Sequence, residues 1–255
     1  MFPPLKSAAV IALTGTLALL CAPAMAWDWS FGAQVVGSGQ VTQTKRQIAG
    51  FKGLSLDIAS IVEIVQGDSE GVLIETDENI APLIETVVEN DQLKIRSIPR
   101  SKSFKPTSLK ITVQARTIER ISISGSGDVE AARLQSATLE AKIFGSGDIH
   151  IGTLDVDSLS VAISGSGDFF AGGRVNTARL DIAGSGDVRA GTLAAKKVTL
   201  SIAGSGEAKV WASETLDVRI AGSGDVDYYG DAAVSQSVAG SGRVRKLGAI
   251  SNPGG

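Results

Sequence analysis

Ile123-Ser124-Gly125-Ser126-Gly127-Asp128-Val129 returns, with small changes, down the second half of the chain. Its Gly-Ser-Gly centre begins at Gly125, Gly145, Gly165, Gly184, Gly204, Gly222 and Gly240, at intervals of 20, 20, 19, 20, 18 and 18 residues. Self-similarity at a short fixed period marks a solenoid, whose repeats bury their apolar faces only by stacking. Alignment on the first glycine exposes that face. Two residues before it stand Ile123, Ile143, Ile163, Ile182, Ile202, Ile220 and Val238. Four before it stand Ile121, Ala141, Val161, Leu180, Leu200, Val218 and, as an exception, Gln236. Two after the second glycine stand Val129, Ile149, Phe169, Val188, Ala208, Val226 and Val244. Polar or small residues alternate with them, so each unit reads as strand, Gly-Ser-Gly corner, strand, with one face apolar.

Other solenoids of similar period fit less well. A hexapeptide helix repeats its apolar residue every six positions, and the calcium-binding roll repeats a double-glycine nonapeptide. Leucine-rich repeats carry Leu-x-Leu and an Asn ladder, both missing here. The remaining expectation is an all-β fold: a single-stranded parallel β-helix, or β-solenoid, with coils of about 18–20 residues. Its corner glycines have a backbone reason, because a tight corner needs positive φ, which glycine adopts cheaply. On that ground Gly127→Val and Gly186→Val are expected to destabilise, and Ser166→Ala to change little.

After the second glycine come Asp128, Asp148, Asp168, Asp187, Glu207, Asp225 and Arg243. In-register coils place these side chains about 5 Å apart. Three readings stand. Each carboxylate accepts a bond from its own turn amides and faces water. A row of them, with Asp128, Asp148, Asp168 and Asp187 as candidates, holds Ca²⁺ weakly, since a hard cation wants six to eight oxygens. Or two of them act as a glycosidase pair, whose retaining geometry uses a separation of about 5 Å. Identical coils oppose the last reading, because nothing separates an acid from a base. The single histidine, His150, lacks Cys or Ser partners for a triad and reads as a surface residue. Tyr228 and Tyr229 form either an aromatic platform for sugar or a cap on the last coil.

Residues 1–26 read as a secretory signal peptide. Lys6 supplies the positive start, Ala8 to Leu20 an apolar run too short to span a bilayer, and Ala24-Met25-Ala26 a cleavage site. A lipoprotein reading of Cys21 is opposed by Leu20 just before it. The mature chain then has 229 residues, no cysteine and a net charge of −4. Disulfides are excluded, no later transmembrane helix is expected, and a mildly acidic chain lacks the basic footprint of a nucleic-acid binder. Residues 27–47, with Trp27 and Trp29, read as a polar leader. From Ile48 to Val113 short strands alternate, with a possible helix from Asn79 to Val88 against the strand preference of Thr86-Val87-Val88. Pro99 to Thr107 is a basic loop with Arg100, Lys102 and Lys105, solvated or in contact with a small polyanion.

Gly50-Phe51-Lys52-Gly53-Leu54, Val62-Glu63-Ile64-Val65-Gln66-Gly67-Asp68, Val72 to Thr76, Leu93 to Ile95, Leu109 to Val113 and the run at 123–129 together resemble the putative autotransporter adhesin head GIN domain family. The resemblance covers about residues 48–235. It implies a β-solenoid domain of secreted or envelope bacterial proteins and supplies no catalytic or binding residues. Residues 236–255 are expected to form the last coil and a tail. The chain closes on Ser251-Asn252-Pro253-Gly254-Gly255, and no membrane β-barrel is expected within it.

The expectation is therefore an exported, non-enzymatic, adhesin-like binding protein of the periplasm or cell surface. It needs no cofactor; its partner is unknown, with a glycan or an envelope component as candidates, and pairing of solenoid ends would give a homo-oligomer. The alternative is a polysaccharide-active enzyme using carboxylates on the solenoid face. Such an enzyme requires one coil where acidic and basic residues leave the repeat pattern inside a groove.

Overall fold

The computed structural model describes residues 34–98 and 103–248. The expected signal peptide, Trp27, Trp29, Arg100 and Lys102 lie outside them. In chain order the strands are β1 (Val35–Val36), β2 (Val41–Arg46), β3 (Gly53–Leu56), β4 (Ile61–Gln66), β5 (Gly71–Asp77), β6 (Ile84–Glu89), β7 (Gln92–Ser97), β8 (Phe104–Lys105), β9 (Leu109–Ala115) and β10 (Arg120–Gly125). The coils follow: β11 (Asp128–Gly145), β12 (Ile149–Gly165), β13 (Phe169–Gly184), β14 (Val188–Gly204) and β15 (Glu207–Gly222). The chain closes through β16 (Asp225–Tyr229), β17 (Ala233–Gly240) and β18 (Arg243–Lys246). No α-helix occurs among the described residues; one 3-10 turn spans Ala81–Leu83.

The expected parallel β-solenoid is present. Strands β11 to β15 lie side by side, all parallel, each residue opposite its equivalent one coil away. The columns read from sequence are buried: Ile143, Ile163, Ile182, Ile202 and Ile220 form one ladder, and Ala141, Val161, Leu180, Leu200 and Val218 another. A third ladder, Leu139, Leu159, Ala178, Val198 and Leu216, completes that wall. Burying one Ile, Leu or Val side chain stabilises by about 1.5–3 kcal/mol, and each coil repeats the gain.

The two corner glycines do different work. The first adopts positive φ, as expected: +131° at Gly145 and +136° at Gly165. This aims the N–H of the following serine at the coil before, so that Ser146 donates to the Gly125 carbonyl at 2.8 Å. The second glycine needs no positive φ, which corrects the reason given for Gly127 and Gly186. A Cβ at Gly186 would fall on the carbonyl oxygen of Gly167 and 2.9 Å from Cγ2 of Ile163. It is glycine because successive backbones touch there.

At the N-terminal end, spatial order departs from chain order. β3 and β4 form the layer beneath the repeat, pairing in parallel with β10 and β11. The next layer is β7 on β3 and β9 on β4, still parallel. Beyond it the pairing turns antiparallel, β6 on β7, β5 on β9 and β2 on β5. The edge that a bare solenoid would expose is thus covered. The β6–β7 hairpin turns on Asn90 and Asp91, both at positive φ (54° and 58°), the signature of a type I′ turn. The helix expected from Asn79 to Val88 is replaced by the 3-10 turn and β6. Its β-branched residues gain more from pairing with β7 than from a lone helical turn. Arg46 on β2 fastens this margin, donating to the carbonyls of Ile84 (2.7 Å) and Ala81 (3.0 Å).

Asp77 is fully buried in the same margin. Its Oδ1 accepts the Gly39 N–H and its Oδ2 the Thr107 N–H, both at 2.7 Å. Desolvation pushes its pKa up, but the amides of Thr107 and Gly39 prevail and hold it below the ordinary value. A depressed folded pKa contributes stability in full above the unfolded value of about 3.9, lost as pH falls through the folded one. Asp77→Asn is therefore expected to melt lower than wild type at neutral pH. Its melting temperature should also fall less steeply once the pH drops below about 4.

Candidate functional site

The exposed surface offers three groups. The first is the acidic column. Asp128, Asp148, Asp168 and Asp187 stack one per coil, each Oδ1 accepting the backbone N–H of the next residue in the column. Asp148 donates to Asp128 at 2.9 Å, Asp168 to Asp148 at 2.8 Å, Asp187 to Asp168 at 3.0 Å and Glu207 to Asp187 at 2.9 Å. The acceptor thus serves the following coil rather than its own turn. The rung from Glu207 to Asp225 lacks this bond among the described residues, because the extra methylene of Glu207 carries its carboxylate past the amide. The ladder resumes where Arg243 N–H donates to Asp225 at 3.0 Å. Among the described residues no three acidic, His or Cys side chains converge as metal ligands.

Asp148→Ala removes an acceptor and is expected to cost about 1–2 kcal/mol, whereas Asp148→Asn keeps an Oδ1 and should cost well under half of that. Glu207→Asp restores the missing rung and should gain about 0.5–1 kcal/mol. Urea midpoints at constant slope measure all three.

The second group lies beside this column. His150, Phe170 and Arg189 stand in register on β12, β13 and β14. The His150 and Phe170 ring centroids are 5.6 Å apart, and the Arg189 guanidinium sits 4.9 Å from the Phe170 centroid. Arg189 also pairs with Asp187 at 3.2 Å and Asp168 at 3.6 Å. His150 is exposed, as expected, in a small stack that sequence reading missed.

The third group holds two hollows and falls where the repeat is least regular. Coil pairing slips between Ile151 and Leu154, Phe170 and Gly172, and Ala190 and Ala194. Along the next side of the solenoid, Gln135, Asp155, Arg174, Ala194, Trp211 and Tyr229 form one outward column. Ala194 is the short member. With Arg174 before it and Trp211 after it, the missing side chain opens a cleft of about 480 Å³. Its walls also carry Asp157, Asn176, Lys196 and Ser213. A second hollow, about 470 Å³, lies across Arg174, over Gly152, Gly172 and Gly173. The two hollows flank a ridge formed by Arg174 and Asp155.

That ridge is fixed. Arg174 Nε and Nη2 grip the Asp155 carboxylate at 2.9 and 2.5 Å. The hydrogen bond from Arg174 holds Asp155 below its ordinary pKa and raises that of the arginine. Asn176 donates to Asp157 at 2.9 Å. Lys196 makes no ion pair among the described residues and is free to meet a ligand. Trp211 is half-buried and its Nε1 is enclosed without an acceptor, so the indole offers carbon surface to the cleft. Tyr229 stands in register beyond it on β16. Of the basic loop, Lys105 belongs to β8, which pairs with β1.

Among known proteins, the family described as "Putative auto-transporter adhesin, head GIN domain" matches residues 50–232. A putative adhesin from Bacteroides fragilis superposes with a TM-score of 0.80 at 27% identity, over 84% of this chain and 100% of that one. A putative lipid binding protein from Parabacteroides distasonis superposes at 0.73 with 26% identity, again over 84% and 100%. A putative adhesin from Parabacteroides merdae, at 22% identity and a TM-score of 0.68 over 85% and 100%, shares the fold. No curated protein matches the sequence.

Proposed function

Because the chain belongs to the auto-transporter adhesin head GIN domain family, we propose that it is an exported, adhesin-like binding protein of the bacterial envelope or its surface. Its contact site is the groove along Asp155, Arg174, Ala194 and Trp211, and its ligand is an extended saccharide. The observation that carries this reading is the gap over Ala194, walled by an indole and a fixed guanidinium. An apolar wall with a few convergent polar groups is what a small-molecule site needs. Two hollows on either side of the Arg174–Asp155 ridge suit a ligand of several linked sugar units better than a compact one. The indole carbon face receives the C–H face of a ring, and Asn176, Ser213, Arg174 and Lys196 reach its hydroxyls.

Binding without turnover is supported by the state of the acids. A glycosidase holds one carboxyl protonated by raising its pKa. Every carboxyl in the described residues with a resolved shift moves the other way: Asp77, Glu89, Asp155 and Asp225 are all lowered. Asp155 and Arg174 do leave the repeat pattern inside a groove, but the guanidinium holds the acid ionised.

The test is a panel of acidic and neutral oligosaccharides, scored for binding by fluorescence and for cleavage by product analysis. Binding without products, lost in Trp211→Ala with the melting temperature retained, is the expected result. Product release, or binding to phospholipid vesicles in place of every glycan, would overturn it.

A further inference from the structure

We propose that the C-terminal edge of the solenoid is a two-fold interface, through which two copies of this chain meet end to end. β17 lies in register on β15, with Val234 opposite Leu216, Gln236 opposite Val218 and Val238 opposite Ile220. Those partners are at most 2% exposed, whereas Val234 is 38% and Val238 39% exposed. The core columns therefore run out into solvent at this end, joined by Leu247 at 37% and half-buried Val244.

The sequence of that edge names its occupant. Residues 233–239 read Ala-Val-Ser-Gln-Ser-Val-Ala, the same in both directions about Gln236. A second copy laid antiparallel about an axis at Gln236 sets Val234 on the partner's Val238 and Ser235 on the partner's Ser237. Gln236 then faces the partner's Gln236. Its side chain carries both donor and acceptor, so two amides satisfy one another across the axis. This gives a reason for a polar residue in a column that is otherwise Ile, Val, Leu or Ala. An isologous interface requires self-complementarity of this kind.

Charge agrees. β17 carries no charged residue. Exposed edges are ordinarily guarded by charge or proline; at this end β18 carries Arg243, Arg245 and Lys246, and β17 is left unguarded. The opposite end is closed by antiparallel β2 and β6, which carry Lys45, Arg46, Glu85 and Glu89. Pairing at one end only yields a closed dimer and no fibre. The inference is independent of the groove.

Sedimentation equilibrium tests it. Wild type should show a monomer–dimer equilibrium at micromolar concentration. Gln236→Lys, which sets two ammonium groups across the axis, should be monomeric with a cooperative melt. Cross-linking gives a second readout in a Cys21→Ser background. Gln236→Cys alone should oxidise to a covalent dimer, because opposed Cα atoms in antiparallel strands lie about 4.5–5.5 Å apart, within disulfide reach. Val234→Cys alone should not, since it faces the partner's Val238. A wild type that is monomeric at all concentrations would overturn the proposal. So would a dimer that survives Gln236→Lys, or equal cross-linking at 234 and 236.

Discussion

Gly186→Val is expected to leave the protein largely unfolded under conditions where wild type is folded, a loss of about 4 kcal/mol or more. The new side chain has nowhere to go. Its Cβ alone would strike the Gly167 carbonyl and crowd Ile163, both held by coils on either side. Backbone cannot yield as a flexible side-chain tip can, so the coils must part or the corner must open. Opening it forfeits the Ser185 to Gly165 hydrogen bond at 2.9 Å and loosens the isoleucine ladder just before it. Two comparisons separate steric overlap from φ strain. At Gly125 a Cβ meets nothing within 4 Å although φ is +107°, so Gly125→Ala should cost only the strain, about 1–2 kcal/mol. Gly145→Ala adds a collision with the Gly125 carbonyl to similar strain and should cost clearly more. Ser166→Ala removes an exposed hydroxyl and should stay within about 0.5 kcal/mol of wild type.

Phe169→Ala is the second large effect, expected to cost about 3–5 kcal/mol. Phe169 is fully buried between Ile149 and Val188 in the column that continues to Ala208. It is the bulkiest member of that column, and coils pinned in register cannot collapse around the void. Phe169→Leu fills most of the space and should cost about 1.5 kcal/mol or less. Its neighbour Phe170 points outward to His150 and Arg189. Phe170→Ala should cost about 1 kcal/mol, the value of a ring contact and a cation–π pair at a wet surface. Urea unfolding of the three variants should set Phe169→Ala well apart from Phe169→Leu and Phe170→Ala.

Much of the fold was legible because it repeats. The columns headed by Ile121, Ile123 and Val129 sit at fixed offsets from the glycines, so one alignment reveals them. The Leu139 ladder sits at an equally fixed offset, six residues before the first glycine, and the same alignment carried two residues further upstream reveals it. The N-terminal margin was not legible in its layering. β3 pairs with β7 and β10, partners well removed in sequence, and no local pattern encodes that order. The strand preference of Thr86-Val87-Val88 was the better guide than the cap and proline at Asn79 and Pro82, because a hairpin partner was available.

The acidic column was legible as a column, but its bonds were not. Side-chain chemistry suggests an acceptor for the turn's own amides, and only the coil spacing shows that the next coil's amide is the nearer. The groove was hidden for a related reason. Asp155, Arg174, Ala194, Trp211 and Tyr229 share one column, yet successive members lie 19, 20, 17 and 18 residues apart. Counted back from the following Gly-Ser-Gly they stand ten, ten, ten, eleven and eleven residues away, so position lines them up, but their changing chemistry leaves no repeating signal to read. Uniform coils supply a scaffold, and the off-register ones supply a surface unlike any other on the chain.

Calorimetric titration of one glycan that binds wild type, run in parallel on Trp211→Ala and Asp148→Asn, tests that division of labour most directly. Binding should be weakened at least about tenfold by Trp211→Ala, a loss of some 1.4 kcal/mol, and left unchanged by Asp148→Asn. Affinity lost in Asp148→Asn and kept in Trp211→Ala would contradict it, placing function on the acidic column and not in the groove.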